Sequence, residues 1–319
     1  MHAASDVWRQ RFRKQEWLIC HFNAWSFESM TDNFQTAQSR EPEPEWVDHY
    51  PENALAQLLS ALPTTDVYVL VDKAFHTSFA QRSQRRFHPV SLQSLCDGRY
   101  EGPGLAEIAP VLARVPDSIE ERRGFLDFAL RETSGKPMLT FLHPLKPGRD
   151  PVVHLKNQME AVDSDGKAFL IRFADTRSLD SLLQVFDEAQ RQRFLGNLRW
   201  WYFGRDGSLK SACSAVDAPE DPSDAPYVFS ALQMSQHDAL ARPDGLLRFI
   251  QTHPHIFGKL VGSPSEGHEC IRGGLASLSV GDDDHDAKMI RFATNALHQA
   301  RLLQLTAEDG QPKDTAVQV

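Results

Sequence analysis

This sequence is poor in cysteine and shows neither long apolar runs nor the pattern of a secretion signal. Its four cysteines stand far apart and never show CxxC spacing, which argues against structural zinc and against a disulfide framework. No stretch approaches the roughly eighteen apolar residues of a membrane helix. The first residues carry no basic segment followed by an apolar one. We therefore expect a protein of the reducing cytoplasm with no membrane insertion.

The sequence also lacks an excess of basic residues and the common catalytic signatures. There are 34 Lys and Arg against 43 Asp and Glu, a net charge of −9, which argues against a general nucleic-acid binder because such a protein needs a basic face. The sequence contains neither GxGxxG nor GxxxxGK[ST], and no GxSxG or HExxH. These absences count against the common enzyme classes, though not against all enzymes.

The residues that are present predict an α+β protein. The length of 319 residues corresponds to about two domains at roughly 150 residues each. Residues 66–72 form a strand that is apolar on both faces, which is typical of the centre of a covered sheet. We expect an N-terminal α/β lobe with a mixed sheet and flanking helices, followed by a smaller all-helical C-terminal lobe.

Shifts in composition give the boundaries of these regions. The clearest is an acidic stretch rich in proline, which is typical of a linker. The predicted regions are an N-terminal extension at 1–52, the α/β lobe at 53–214, the linker at 215–226, the helical lobe at 227–305 and a disordered tail at 306–319.

Local signals place several element ends. Ser118 and Glu121 have capping-box spacing, and Asp150-Pro151 reads as an N-cap followed by an N1 proline. The run 163–166, Asp-Ser-Asp-Gly, predicts a hairpin turn. An apolar stripe from Leu179 to Phe194 predicts one helix that ends before Gly196.

Four charged residues lie where predicted strands end. Asp72 follows the buried strand, and Arg172, Asp175 and Arg177 stand just before the Leu179 helix. They could bind an anion or act as acid/base groups, since ligands collect at the carboxyl ends of strands in open sheets. They could equally form an internal ion network, because guanidinium and carboxylate groups pair well. We favour the structural network.

The run Trp200-Trp201-Tyr202-Phe203 puts aromatic side chains on both faces of one strand. One face belongs to the core, and the other is either covered by the helical lobe or is a partner surface, where aromatic residues are enriched. With Tyr100, the residues Trp200, Trp201 and Tyr202 are the candidate partner-binding residues. On this hypothesis, Trp201→Ala, or Tyr202→Ala if that side chain is the outward one, loses binding at an unchanged melting temperature.

Histidine and acidic clusters in the C-terminal part offer a metal site as the alternative. They are His253-Pro254-His255, His268-Glu269, the acidic run 282–286 and the dipeptides His237-Asp238 and His285-Asp286. Their spacing does not supply three or four recognisable ligands, and the acidic run suits a helix N-terminus. We therefore expect no metal and no cofactor.

Six segments resemble, in the same order, those of the type VI secretion effector adaptor/chaperone family, a domain of unknown function. They are residues 67–75, 94–98, 105–115, 154–162, 172–177 and 194–196. Thr176 departs from that family by replacing a proline, and residues 141–144 replace a serine-containing stretch.

The resemblance implies a non-enzymatic protein. Such adaptors bind a toxic effector in the bacterial cytoplasm and help to load it onto the VgrG/PAAR spike. The resemblance also implies that Asp72, Arg172, Asp175 and Arg177 have a structural role at corners of the fold, and that they are not a catalytic site. Two alternatives stay open: a metal-dependent hydrolase that uses Asp72 and the C-terminal His and Asp residues, and a structural subunit of the secretion apparatus.

Overall fold

A computed structural model describes residues 44–87, 91–146, 150–214, 224–276 and 286–304. The predicted extension up to residue 43, most of the linker, the acidic run at 282–285 and the tail lie outside the described residues. The chain divides into two compact units. Among the described residues, the first unit contains Trp46–Ala241, and the second contains 44–45 and everything from Arg242 onward.

The first unit contains seven complete helices among its described residues and the strands of two sheets. The helices are α1 Ala54–Ala61, α2 Phe79–Arg86, α3 Leu105–Ile108, α4 Ile119–Thr133, α5 Pro151–Asn157, α6 Thr176–Val185 and α7 Glu188–Leu195. The strands are β1 Tyr68–Val71, β2 Leu92–Ser94, β3 Val111–Arg114, β4 Leu139–Pro144, β5 Glu160–Val162, β6 Ala168–Leu170, β7 Leu198–Phe203, β8 Leu209–Cys213 and β9 Tyr227–Val228. A short 3₁₀ helix, Lys73–Phe75, follows β1.

The main sheet has six strands in the order β2-β3-β1-β4-β7-β8, and every pairing in it is antiparallel. The α+β class is confirmed. The mixed pairing expected for the main sheet occurs instead in a small sheet of order β6-β5-β9, where β5 pairs antiparallel with β6 and parallel with β9. An antiparallel strand covered on both faces has the same continuous apolar run as a parallel one, so the sequence did not separate them.

Helices cover both faces of the main sheet. Successive side chains of each strand point to opposite faces, so each central strand contributes to two apolar clusters. Leu70, Leu142 and Trp200 belong to one apolar cluster, which also contains residues of α5, α6 and α7. Val69, Phe141 and Trp201 belong to the other, with residues of α1 and α4. The central strands are therefore buried on both sides.

The apolar stripe from Leu179 to Phe194 forms two helices rather than the one predicted. Phe186 is extended, with φ −59° and ψ 136°, and Asp187 caps the next helix in a capping box with Gln190. The chain therefore turns between α6 and α7, although both helices keep their apolar sides in the same core.

Helix α8, Ala231–Thr252, continues from the first unit into the second, which contains five further elements among its described residues. They are α9 Pro254–Phe257, β10 Lys259–Leu260, α10 Pro264–Leu275, α11 Asp286–Gln299 and β11 Leu303–Gln304. The core of the second unit contains Leu247, Ile250, Ile271 and Leu297. This part was expected to be all-helical, but β10 and β11 pair as a two-residue antiparallel ladder.

The described chain passes between the units twice, at Glu45–Trp46 and at Ala241–Arg242. The predicted helical lobe began at 227, whereas Tyr227 and Phe229 lie in the core of the first unit. None of the described helices has the length and apolar content needed to cross a membrane.

Candidate functional site

The end of β1 is fixed by a buried carboxylate. Asp72 accepts the backbone N–H of Ala74 at 3.0 Å, which caps the 3₁₀ helix. Its other oxygen accepts from Arg172 Nη2 at 2.9 Å, across 100 residues of sequence. This bond therefore ties β1 to the segment that follows β6.

In this pair, burial disfavours the charged form of each group, whereas the opposite charge of its partner favours it. Asp72 is 2% exposed, and burial raises the pKa of its carboxyl group although Arg172 acts to lower it. Burial also acts to lower the pKa of Arg172, but the carboxylates of Asp72 and Asp175 outweigh it and raise that pKa. Arg172 is therefore held in its charged form.

A second pair lies at the start of α6. Asp175 is its N-cap and accepts the backbone N–H of Arg177 at 2.9 Å. The same carboxylate accepts from Arg177 Nε at 3.2 Å and from Nη2 at 2.8 Å. Thr176, where the resemblance has proline, donates its backbone N–H to the carbonyl of Pro137 at 2.9 Å. A proline could not make that bond, so the threonine adds a tie to the segment before β4.

Two half-buried aromatic rings lie over these arginines. The guanidinium carbon of Arg177 is 4.8 Å from the ring centroid of Trp46 and 5.5 Å from that of Phe75. Arg172 is 5.7 Å from the Phe75 centroid, and the two rings meet edge to face at 5.4 Å. These are cation–π distances. We call Trp46, Phe75 and the four charged residues the ion-paired corner.

Trp46 and Phe75 were missed by the sequence analysis. Phe75 lies three residues after Asp72 and could have been noted from that spacing. Trp46 lies in the predicted N-terminal extension, and nothing in the local sequence connects it with Arg177, which is far along the chain.

A small pocket adjoins Arg172. Most of its lining is apolar: Phe169, Leu170, Ile171, Leu182, Phe229 and Met234, together with Ser178, His237 and Arg172. Burial lowers the pKa of His237, against an opposing effect of Asp238. The imidazole is thus favoured in its neutral form, and the pocket suits an apolar group better than an anion.

The aromatic residues of β7 are buried, which corrects the expectation that one face of this strand is a partner surface. Trp200, Trp201 and Tyr202 are 0%, 5% and 4% exposed. Trp200 Nε1 donates to the carbonyl of Leu195 at 3.2 Å, and the Tyr202 hydroxyl donates to Asp180 Oδ1 at 3.0 Å. The second face is covered by residues of α1 and α4. These rings are therefore core, and they do not line an open groove.

Tyr100 connects the loop after β2 to β5. Its hydroxyl donates to Glu160 Oε1 at 2.7 Å, and Arg99 Nε donates to the same oxygen at 3.1 Å. Burial raises the pKa of Tyr100 well above its usual range, and the Glu160 carboxylate adds to the effect. Tyr100 packs against the same core cluster as Trp200. Its contacts therefore connect the loop after β2 to β5 and to the core.

The candidate metal ligands do not form a cluster in the part of the chain that the structure describes. No group of three or more His, Cys, Asp or Glu side chains there could hold a metal ion. The rings of His253 and His255 are 6.1 Å apart, and His268 Nε2 is 3.8 Å from Asp244 Oδ1. The run at 282–285 lies outside the described residues, and Asp286 begins α11.

Comparison with known proteins gives one family match. Residues 67–193 match DUF4123, a domain of unknown function. The match runs from the residue before β1 into α7, so it contains Asp72, Arg172, Asp175 and Arg177, but neither Trp46 nor β7. No curated protein matches the chain, and no solved structure does.

Proposed function

We propose that this protein is a non-enzymatic adaptor that binds a cognate type VI secretion effector in the bacterial cytoplasm and promotes its loading onto the VgrG/PAAR spike. The observation that carries the proposal is the DUF4123 match over residues 67–193. Six segments that resemble the type VI effector adaptors occur in order, and five of them lie wholly inside that match.

The geometry of the ion-paired corner supports a binding role rather than catalysis. Asp72 accepts from Ala74 and Arg172, and Asp175 accepts three bonds from Arg177. Acid/base chemistry or metal binding would have to displace these partners, and the loss of one member of a buried pair is costly. The corner therefore serves as a rigid frame, and the half-buried rings of Trp46 and Phe75 lie at its surface.

Co-expression with each protein encoded beside it, followed by size exclusion with light scattering, tests the adaptor role. We expect a stable complex with a toxin-like or PAAR-bearing neighbour. Metal analysis of the protein purified without added metal is the parallel measurement. Failure of every neighbour to bind, together with stoichiometric zinc or manganese, would overturn the adaptor in favour of a hydrolase. Higher-order self-assembly without a neighbour would favour a structural subunit.

A further inference from the structure

A chain of contacts in the first unit links the aromatic rings of the corner to helix α2. Phe75 contacts Trp46, and His76 follows Phe75 directly. The Glu132 carboxylate then contacts both His76 Nε2, at 3.1 Å, and Arg82. We call this the aromatic–basic surface, and its residues are Trp46, Phe75, His76, Arg82, Arg85 and Arg86.

Helix α2 has an apolar face and a basic face. Phe79 and Ser83 are buried, and the Phe79 ring lies 5.7 Å from that of Phe128 on α4. The rest of the helix surface is exposed and carries Gln81, Arg82, Gln84, Arg85 and Arg86. The helix is thus anchored by its apolar side, and its three arginines are exposed to solvent.

The charge of this face is only partly neutralised. Arg82 pairs with Glu132 although its own side chain is 53% exposed. Arg86 lies over the rings of Phe87 and Phe128 at 5.6 Å. Among the described residues, neither Arg85 nor Arg86 forms an ion pair. A helix with three arginines and no acidic residue therefore stands out in a chain of net charge −9.

Two properties of this surface are typical of protein-binding sites. Trp and Arg are the residues that most often carry binding energy at interfaces, and here Trp46 rests on an arginine whose own side chain is 4% exposed. Such a ring is held in place before a partner arrives, which lowers the cost of ordering it. A basic face whose charge is only partly neutralised selects an acidic partner and speeds its approach.

We propose that the aromatic–basic surface binds an acidic segment of a partner protein. An apolar side chain of that segment packs on Trp46 and Phe75, and its carboxylates face Arg82, Arg85 and Arg86. The inference rests on the adaptor role proposed above, and it names the chemistry of the segment that the adaptor recognises.

The test uses the full chain and a defined probe. The probe is a fluorescein-labelled peptide in which glutamate and leucine recur at helical spacing, and its control has lysine in place of every glutamate. We expect fluorescence anisotropy to show binding of the glutamate peptide alone, weakening as salt is added. Arg85→Glu and Trp46→Ala each weaken this binding by roughly tenfold or more. Arg291→Glu, an equal charge change at an exposed site on α11, leaves it unchanged.

Several results would overturn the proposal. Equal binding of the two peptides, or equal loss in Arg85→Glu and Arg291→Glu, rules out this surface as the acidic-segment site. Tighter binding of a labelled oligothymidine that Arg85→Glu abolishes would assign it to nucleic acid. Self-association that Arg85→Glu abolishes would assign it to a second copy of the chain. If Trp46→Ala fails to fold, Arg85→Glu alone decides, since Arg85 is exposed.

The outcome is separable from that of the adaptor role. A neighbouring protein that binds wild type and Arg85→Glu equally well supports the adaptor role and overturns this surface. Binding of the glutamate peptide as expected, with no neighbour forming a complex, supports the surface and overturns the adaptor role.

Discussion

Arg177 folds back on Asp175, two residues before it, and donates two side-chain hydrogen bonds to its carboxylate. The same carboxylate caps α6 through the backbone N–H of Arg177. The two side chains are 4% and 1% exposed. One residue pair therefore both starts the helix and presents a fixed guanidinium face to Trp46.

Removal of the Arg177 side chain should strongly destabilise the first unit. Arg177→Ala leaves the Asp175 carboxylate buried without its ion partner, and we expect a loss of about 3–5 kcal/mol in the free energy of unfolding. Arg131→Ala is the matched control, because Arg131 and Asp127 form an exposed i,i+4 pair worth about 0.3–0.5 kcal/mol. Urea denaturation measures both variants. Equal effects would contradict a structural role for the corner.

Trp201→Ala should lower stability rather than act on binding alone. The side chain is 5% exposed and packs between the sheet and helices α1 and α4, and truncation of a buried tryptophan costs about 3–5 kcal/mol. Trp46→Ala removes a half-buried ring and should cost much less. Thermal denaturation compares the two. A Trp201→Ala variant with the wild-type melting temperature would restore the hypothesis that β7 offers a partner surface.

The stability of the first unit should fall in mild acid because of His237. Burial lowers its pKa below 6.5, so below about pH 6.5 the unfolded chain takes up a proton that the folded state refuses. This contribution is complete above pH 6.5 and is lost as the pH falls toward the lowered value. Denaturation at pH values on either side of 6.5 should show a shallower pH dependence in His237→Gln than in wild type. His255→Gln, at an exposed site, should keep the wild-type slope.

Gly196 should tolerate no side chain. Its φ of +57° and ψ of −150° belong to a region that is essentially restricted to glycine, and a Cβ would lie 2.4 Å from the His154 ring. We expect Gly196→Ala to cost about 1–3 kcal/mol from the backbone conformation, with the clash in addition. Gly124→Ala, inside α4 with only an ordinary contact at 3.6 Å, should be neutral or gain up to about 1 kcal/mol. Guanidinium denaturation of both variants checks this, and a neutral Gly196→Ala would contradict it.

Local features of the chain followed from the sequence. Ser118 caps α4 by accepting the backbone N–H of Glu121, and Asp150 caps α5 ahead of Pro151. The turn at 163–166 joins β5 to β6, with Gly166 at φ +76°. Each of these depends on groups only a few residues apart, so the sequence pattern contains everything that determines it.

Longer-range features did not follow from the sequence. The stripe from Leu179 to Phe194 did not reveal the turn at Phe186. Both helices bury their apolar side in the same core, so the spacing of apolar residues continues across the turn. Likewise, the aromatic strand predicted buried rings on one face of the sheet, but the cover on the other face comes from α1 and α4, which the strand's own residues do not specify.

The α+β class, the caps and turns, and the charged residues at strand and helix ends could all be predicted from the sequence, because they depend on local propensity and hydrophobic periodicity. Three features required the folded chain: Asp72 pairs with Arg172 across 100 residues, Trp46 lies on Arg177, and β7 is covered on both faces. Such contacts depend on which segments pack together, and packing optimises burial over the whole core rather than within any one segment.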